Sequence, residues 1–226
     1  MSRIVPAWGI LAMAGALLLA PLLVPGAAAL PILVTSRAAL GGNDFFDWGV
    51  LGPDRTLVAD PFTILSQSGA LTATVLNPSG SFERRDQSTG WSGNFASGDR
   101  LLWTRADSVG PMVITFDQGV LGAGAQIQRG LFGFFEGVID VYSPDDLLLV
   151  SFLLAGDSNQ MPGTAIFLGV RDSDPSIGRI DFRVSPEHHF AINQLDVKAI
   201  PEPASLLLLG SGILVLSLRA LRRGHD

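Results

Sequence analysis

Between Pro31 and Val197 the chain sets short apolar or alternating runs between clusters of turn residues. Alternation with a period of two marks strands, because successive strand side chains point to opposite faces. Strands are predicted at residues 32–35, 71–75, 101–104, 112–116, 125–128, 137–142, 147–154, 165–170, 179–184 and 190–197. Many of these runs are rich in β-branched and aromatic residues, which fit a pleated, half-buried surface. The run Arg179-Ile180-Asp181-Phe182-Arg183-Val184 alternates strictly, so Ile180, Phe182 and Val184 should face a core. The runs at 138–142 and 147–154 flank Ser143-Pro144-Asp145-Asp146, which predicts a hairpin. Proline presets φ there, and Asp accepts local backbone hydrogen bonds. No mid-chain stretch of twelve residues carries a helical period. Strands about every ten residues, without crossover helices, predict an all-β antiparallel sandwich over residues 30–199. Residues 77–98, rich in Ser, Gly and Asn, are expected to form long loops around at most one short strand, with Phe82, Trp91 and Phe95 interleaved. Exposed aromatics in such loops make binding surfaces.

The two ends follow a different pattern. Arg3 is followed by an uncharged, mostly apolar run from Trp8 through Val24, which Pro21 and Pro25 break. Ala27, Ala28 and Ala29 then supply small residues in an A-x-A arrangement. This is the layout of a secretory signal peptide over residues 1–29, with signal peptidase cleaving after Ala29. At the other end Pro201-Glu202-Pro203 closes the polar part, and residues 204–218 run without a charge to Arg219, Arg222 and Arg223. Prolines on both sides of Glu202 hold that backbone extended. Fifteen helical residues span roughly 22 Å, against about 30 Å of bilayer hydrocarbon. So short a transmembrane helix suits a temporary membrane stop better than a permanent anchor. The arginines of the 219–226 tail stay on the cytoplasmic side.

The order Pro201-Glu202-Pro203, apolar segment with Gly210 and Gly212, then an arginine cluster resembles the PEP-CTERM sorting domain. The resemblance covers the last 26 residues or so and implies recognition by an exosortase, a multi-pass membrane enzyme, with cleavage at or near the Pro-Glu-Pro. It also implies a Gram-negative producer of extracellular polysaccharide, and a protein that is exported, held briefly at the inner membrane, and released to the cell envelope or matrix. Residues 112–197 resemble the jelly-roll-like ectodomains of other PEP-CTERM proteins. Ile114-Thr115-Phe116, Ile139-Asp140-Val141-Tyr142 and Ala165-Ile166-Phe167-Leu168-Gly169-Val170 are among the pieces that carry this likeness.

Charge and composition narrow the chemistry. The net charge is −6, but residues 30–200 hold 11 basic against 19 acidic residues, with Lys198 their single lysine. A nucleic-acid partner is therefore not expected, because phosphate contacts need Lys and Arg. There is no cysteine, which excludes disulfides, thiolate metal sites and a cysteine nucleophile. No serine-nucleophile elbow is present. The mid-chain histidines His188 and His189 are adjacent; on a strand they would face opposite ways, and they are read as a turn into the last strand. Glu83 and Glu136 are candidates for a glycosidase pair only because glutamate is scarce. Asp172-Ser173-Asp174 offers oxygens to a structural calcium but lacks the other ligands of a calcium loop and reads as a turn before Pro175. Gly122-Ala123-Gly124 lacks the third glycine of a dinucleotide loop. Trp48, Trp91 and Trp103 could stack on sugars or anchor a core; Trp91, in Gly90-Trp91-Ser92-Gly93-Asn94, is the surface candidate for a glycan contact. The expectation is a non-enzymatic surface or matrix protein without catalytic residues, metal or cofactor. A carbohydrate-binding module that engages exopolysaccharide is the alternative, and a glycan hydrolase is a more distant one.

Overall fold

The computed structural model describes residues 30–200. The readings of Ala27 and Ala29, of the Pro201–Pro203 motif, of the 204–218 segment and of the arginine tail lie outside the described residues. In chain order the strands are β1 (Ile32–Val34), β2 (Asp44–Phe46), β3 (Leu57–Val58), β4 (Phe62–Leu65), β5 (Thr72–Leu76), β6 (Phe82–Asp86), β7 (Arg100–Trp103), β8 (Met112–Val120), β9 (Gly122–Arg129), β10 (Gly133–Tyr142), β11 (Leu148–Ser158), β12 (Ile166–Arg171), β13 (Ile177–Ser185), β14 (Phe190–Ile192) and β15 (Leu195–Lys198). One short helix, α1 (Arg37–Leu40), and a 3-10 turn at Trp48–Leu51 interrupt them. Among the described residues no helix is long and apolar enough to cross a membrane.

All pairings between strands are antiparallel, in two sheets. Sheet A runs β1-β12-β9-β14-β7-β6-β3, with β15 also paired to β9 and β2 paired to β15. Sheet B runs β11-β10-β13-β8-β5-β4. The inward residues of both sheets meet in one apolar core that holds Phe46, Trp48, Phe82, Met112, Ile114, Ile127, Ile139, Phe182 and Phe190. Ile180, Phe182 and Val184 all lie in it, as the alternation requires. The hairpin at 143–146 also forms. Ser143 N donates to Leu147 O at 2.9 Å, Asp146 N donates to Ser143 O at 3.0 Å, and Asp146 takes a left-handed φ of 65°. Aspartate tolerates that conformation better than most residues.

The run at 190–197 is not one strand. β14 pairs with the Ile127–Arg129 end of β9 and β15 with its Gly122–Gly124 end, so two short strands share one edge of β9 end to end. Asn193 stands at the break, 2 % exposed. Its N–H donates to Gln126 O (3.1 Å), and its side-chain oxygen accepts from Gln126 N (3.0 Å) and from Arg37 (2.9 Å). Its side-chain amide donates to Gln126 Oε1 (2.7 Å) and Asp99 Oδ2 (2.9 Å), and its carbonyl accepts the Trp48 indole N–H (2.7 Å). A buried amide with both ends satisfied is stabilising where an orphaned one would cost about 1–3 kcal/mol. Three strands, β2, β3 and β4, escaped the sequence pattern, and β6 is the one short strand allowed for within residues 77–98. β2, β3 and β4 are two to four residues long, and β6 carries the charged run Glu83-Arg84-Arg85-Asp86.

Candidate functional site

The outer face of sheet A carries a second, smaller apolar cluster. Strand registers line up Glu83, Trp103, Ala191 and Gln128 across β6, β7, β14 and β9. Over this row folds the 87–99 loop, whose Phe95 is fully buried against Leu101, Ala165 and Ala191, with Trp91 and Trp103 packed at the rim. The loop is therefore not a fringe of exposed aromatics. Phe82 lies in the main core and Phe95 in the satellite, and Trp91 alone of the three is half-buried.

Gln128 holds the loop down. Its side-chain oxygen accepts the Trp91 indole N–H (2.9 Å) and the Asn94 backbone N–H (3.0 Å), and its amide nitrogen donates to Ser158 Oγ (2.9 Å). Gln87 donates to Gly93 O at 2.6 Å. A Cβ on Gly93 would collide with Gln128 Oε1 and the Trp91 indole nitrogen, so only glycine lets the loop lie this close.

Trp91 and Trp103 meet edge to face at 6.0 Å. The Arg85 guanidinium lies over Trp103, 4.6 Å from the ring centroid, donates to Gly90 O (2.9 Å), and stands 2.8 Å from Glu83 Oε1, close enough for an ion pair though off the line of its N–H. The Trp103 indole N–H donates to His189 Nδ1 at 3.0 Å. That bond requires Nδ1 to be unprotonated. Burial first, and the His188 charge second, lower the His189 pKa to about 4. The two histidine rings lie 4.2 Å apart. They lie in the loop that leads into β14, in keeping with the reading of a turn into a strand, and strand alternation does not separate them there.

These groups bound a shallow cleft of ≈ 190 Å³ lined by Arg85, Gly90, Trp91, Ser92, Trp103, Gln128, Arg129, Gly130 and Phe132. Phe132, 51 % exposed, stands at its mouth. Arg129 is held by the carbonyls of Leu131 (3.1 Å) and Phe132 (3.3 Å). The cleft offers aromatic surface and cationic donors in a domain that is acidic elsewhere. It is smaller than pockets that enclose drug-sized ligands, and suits one ring of a longer chain. Larger clefts of ≈ 560 Å³ beside Arg37 and Phe167, and ≈ 590 Å³ beside Asp47 and Leu65, lack a comparable set of tryptophan rings.

The other sequence candidates do not converge. Glu83 lies on the outer face of sheet A, and Glu136 is exposed on the outer face of sheet B, so they share no cleft. Asp172 Oδ1 accepts from the backbone N–H of Ser173 (2.6 Å) and Asp174 (3.4 Å), and Oδ2 accepts from Ser176 Oγ, which makes it an Asx turn. Among the described residues no group of three or more His, Asp or Glu side chains is placed to hold a metal. Trp48 is fully buried, an anchor. The sequence missed His189, Arg85 and Gln128 as companions of Trp91. The pattern Gly90-Trp91-Ser92-Gly93, with glycines bracketing an aromatic, was the signal that found the loop.

The protein is thus an all-β domain of two antiparallel sheets whose last strand, β15, runs into the C-terminal segment. Asn43 clamps that exit: Ala199 N donates to Asn43 Oδ1 (2.8 Å) and Asn43 Nδ2 to Ala199 O (3.2 Å). Residues 199–223 match the PEP-CTERM protein-sorting motif. The motif marks an exported, exosortase-targeted protein that is anchored transiently at the membrane. The sequence matches no curated protein. Among solved structures the chain is similar to a DUF4465 family protein from Bacteroides caccae, at 10% identity and a TM-score of 0.44 over 69% of this chain and 100% of that one.

The His189 assignment has a pH signature. A folded pKa below the unfolded value of 6.5 gives stability that is present above pH 6.5 and lost as pH falls toward about 4. In an NMR titration the His189 ring is expected to protonate near pH 4. A midpoint near 6.5 would contradict the Trp103–His189 bond.

Proposed function

We propose that this is a non-enzymatic cell-surface or extracellular-matrix protein, exported on a signal peptide over residues 1–29, stopped in the inner membrane by residues 204–218, and released by exosortase near Pro201–Pro203. The sorting motif at 199–223 carries this reading. Its partners in biogenesis are signal peptidase and exosortase, and it needs no cofactor. The two-sheet domain is read as a jelly-roll-like sandwich that displays its outer faces to the matrix. The Asn43 clamp supports the processing step, because it fixes Ala199 to the domain two residues ahead of Pro201 in the chain. Mass spectrometry of the protein from its native host tests this directly. A mature N-terminus at Leu30 and a C-terminus near residues 201–203 are expected; an intact tail ending at Asp226 in an exosortase-competent strain would overturn the processing step.

A second reading is favoured by the Trp91–Trp103 cleft: a carbohydrate-binding role toward the matrix polysaccharide. Sugar rings stack on exposed aromatic faces, and the Arg85 and Arg129 guanidinium groups are placed to meet hydroxyls or acidic substituents. Trp91→Ala should weaken binding to host exopolysaccharide about tenfold, or about 1.4 kcal/mol. It should leave the Trp48 core intact, so near-UV circular dichroism from that indole persists. Binding to matrix polysaccharide that is absent in the wild type, or unchanged in the variant, counts against this role.

A further inference from the structure

The edges of the two sheets are treated unequally. Among the described residues β1, β2, β3 and β4 are edge strands of two to four residues, and β4 begins directly after Pro61. Short edges and nearby prolines are how proteins avoid pairing with one another. β11, the far edge of sheet B, is eleven residues long. From Leu147 through Gly156 it has neither a charge nor a proline, and Leu148 and Leu153 are exposed. Between Ser151 and Ala155 this one edge carries neither charge, proline nor bulge.

The hydrogen-bonding groups of that edge can be assigned. In an antiparallel ladder alternate residues turn both backbone groups away from their partner strand. The Asp157 carbonyl turns outward, since it accepts from Asn94 Nδ2 at 3.0 Å. By the two-residue period Ala155, Leu153 and Ser151 also turn outward, and no described residue meets their backbone groups. Asn94 closes the edge at one end, and the bulge between Val141 and Tyr142 ends its regularity at the other. A cleft of ≈ 560 Å³, lined in part by Ser36, Arg37, Leu154 and Ala155, leaves the space beside the strand open.

We propose that β11 pairs antiparallel with β11 of a second copy of this chain, about a two-fold axis at Leu153, joining the two B sheets into one. This register engages all three outward residues: Leu153 opposes the second copy's Leu153, and Ser151 opposes its Ala155. It keeps inward side chains inward on both copies, because a shift by one residue would turn every side chain over. Charge favours it too. Each Asp157 falls opposite an uncharged Leu149, and the two Asp157 carboxylates lie about 27 Å apart along the strands. The acidic hairpin tip at Asp145-Asp146 falls beside the uncharged Met161 and Gln160 of the other copy. The rest of the domain is acidic, so pairing strengthens as salt screens the two copies. The inference does not depend on the aromatic cleft, which lies on the outer face of the other sheet.

The absence of cysteine makes the test direct. Residues directly opposite in an antiparallel pair have Cα atoms about 5 Å apart, within disulfide range. The full chain carrying Leu153→Cys is expected to form a disulfide-linked homodimer under mild oxidation, at least tenfold more than Leu65→Cys on the exposed face of β4. Ser151→Cys and Ala155→Cys should cross-link when mixed and not singly. No dimer above the Leu65→Cys level, a disulfide to another protein instead, or Ser151→Cys linking to itself as readily as to the mixture would overturn the proposal. Each of these positions is exposed, and unchanged tryptophan fluorescence from the buried Trp48 reports that the variants remain folded.

Discussion

The structure depends on how one edge of β9 is divided. β9 is the centre of sheet A, with β12 on one side and both β14 and β15 on the other. Two strands can share an edge only if the chain between them leaves the ladder and returns without stranding backbone groups in the interior. Asn193 meets that requirement: its backbone and side chain both bond Gln126, so the side chain stands in for the missing ladder. The same residue ties in Arg37 from α1, Asp99 from the loop before β7, and the Trp48 indole. Four distant parts of the sequence are thereby fixed to one point. β15 is held in place for pairing with β2, and the chain is delivered to the Asn43 clamp and the sorting segment beyond it.

Gln128, two residues along the same strand, does for the outer face what Asn193 does for the edge. It points to the side away from the main core, where a polar side chain would be expected to meet water, and is instead 1 % exposed beneath the 87–99 loop. Its bonds to Trp91 and Asn94 set the loop's height, and the loop in turn covers Phe95 and shapes the cleft. Asn94 extends the same loop to the Asp157 carbonyl and so closes one end of the β11 edge. Aromatic cleft and open edge are two consequences of one loop laid across the sheet ends, which is why they occur on neighbouring parts of the surface while facing different partners.

Much of this was legible in the sequence where burial imposes a period. The long strands β8 through β13 bury one face or both, and their alternation or apolar runs identified them to within a few residues. Ile180, Phe182 and Val184 were assigned to the core from spacing alone. What escaped or went unplaced was structure decided by tertiary contact. β6 reads as charge because Arg84 turns inward beside Asp86 and Arg85 turns outward beside Glu83, so neither face looks apolar. The break at Asn193 was hidden because Phe190 through Val197 is apolar on both sides of it, and a buried amide leaves no periodic trace. In the site, Trp91 was singled out by its glycine-bracketed loop, whereas Trp103, Arg85 and His189 come from three other segments that only the register brings together. The terminal sorting segment is the opposite case: its motif, apolar run and arginines are contiguous, and reading it required no fold.

The central claim is that the Asn193 junction, more than any single apolar contact, holds sheet A together. Urea unfolding of Asn193→Ala measures this most directly. Removing the side chain orphans the Gln126 N–H and takes one partner each from Asp99 and from Arg37, which keeps Asp196, and the account predicts a loss of about 3 kcal/mol with the unfolding slope unchanged. A loss below about 1 kcal/mol, the ordinary cost of a surface change, would show that the division of the β9 edge is held by something else.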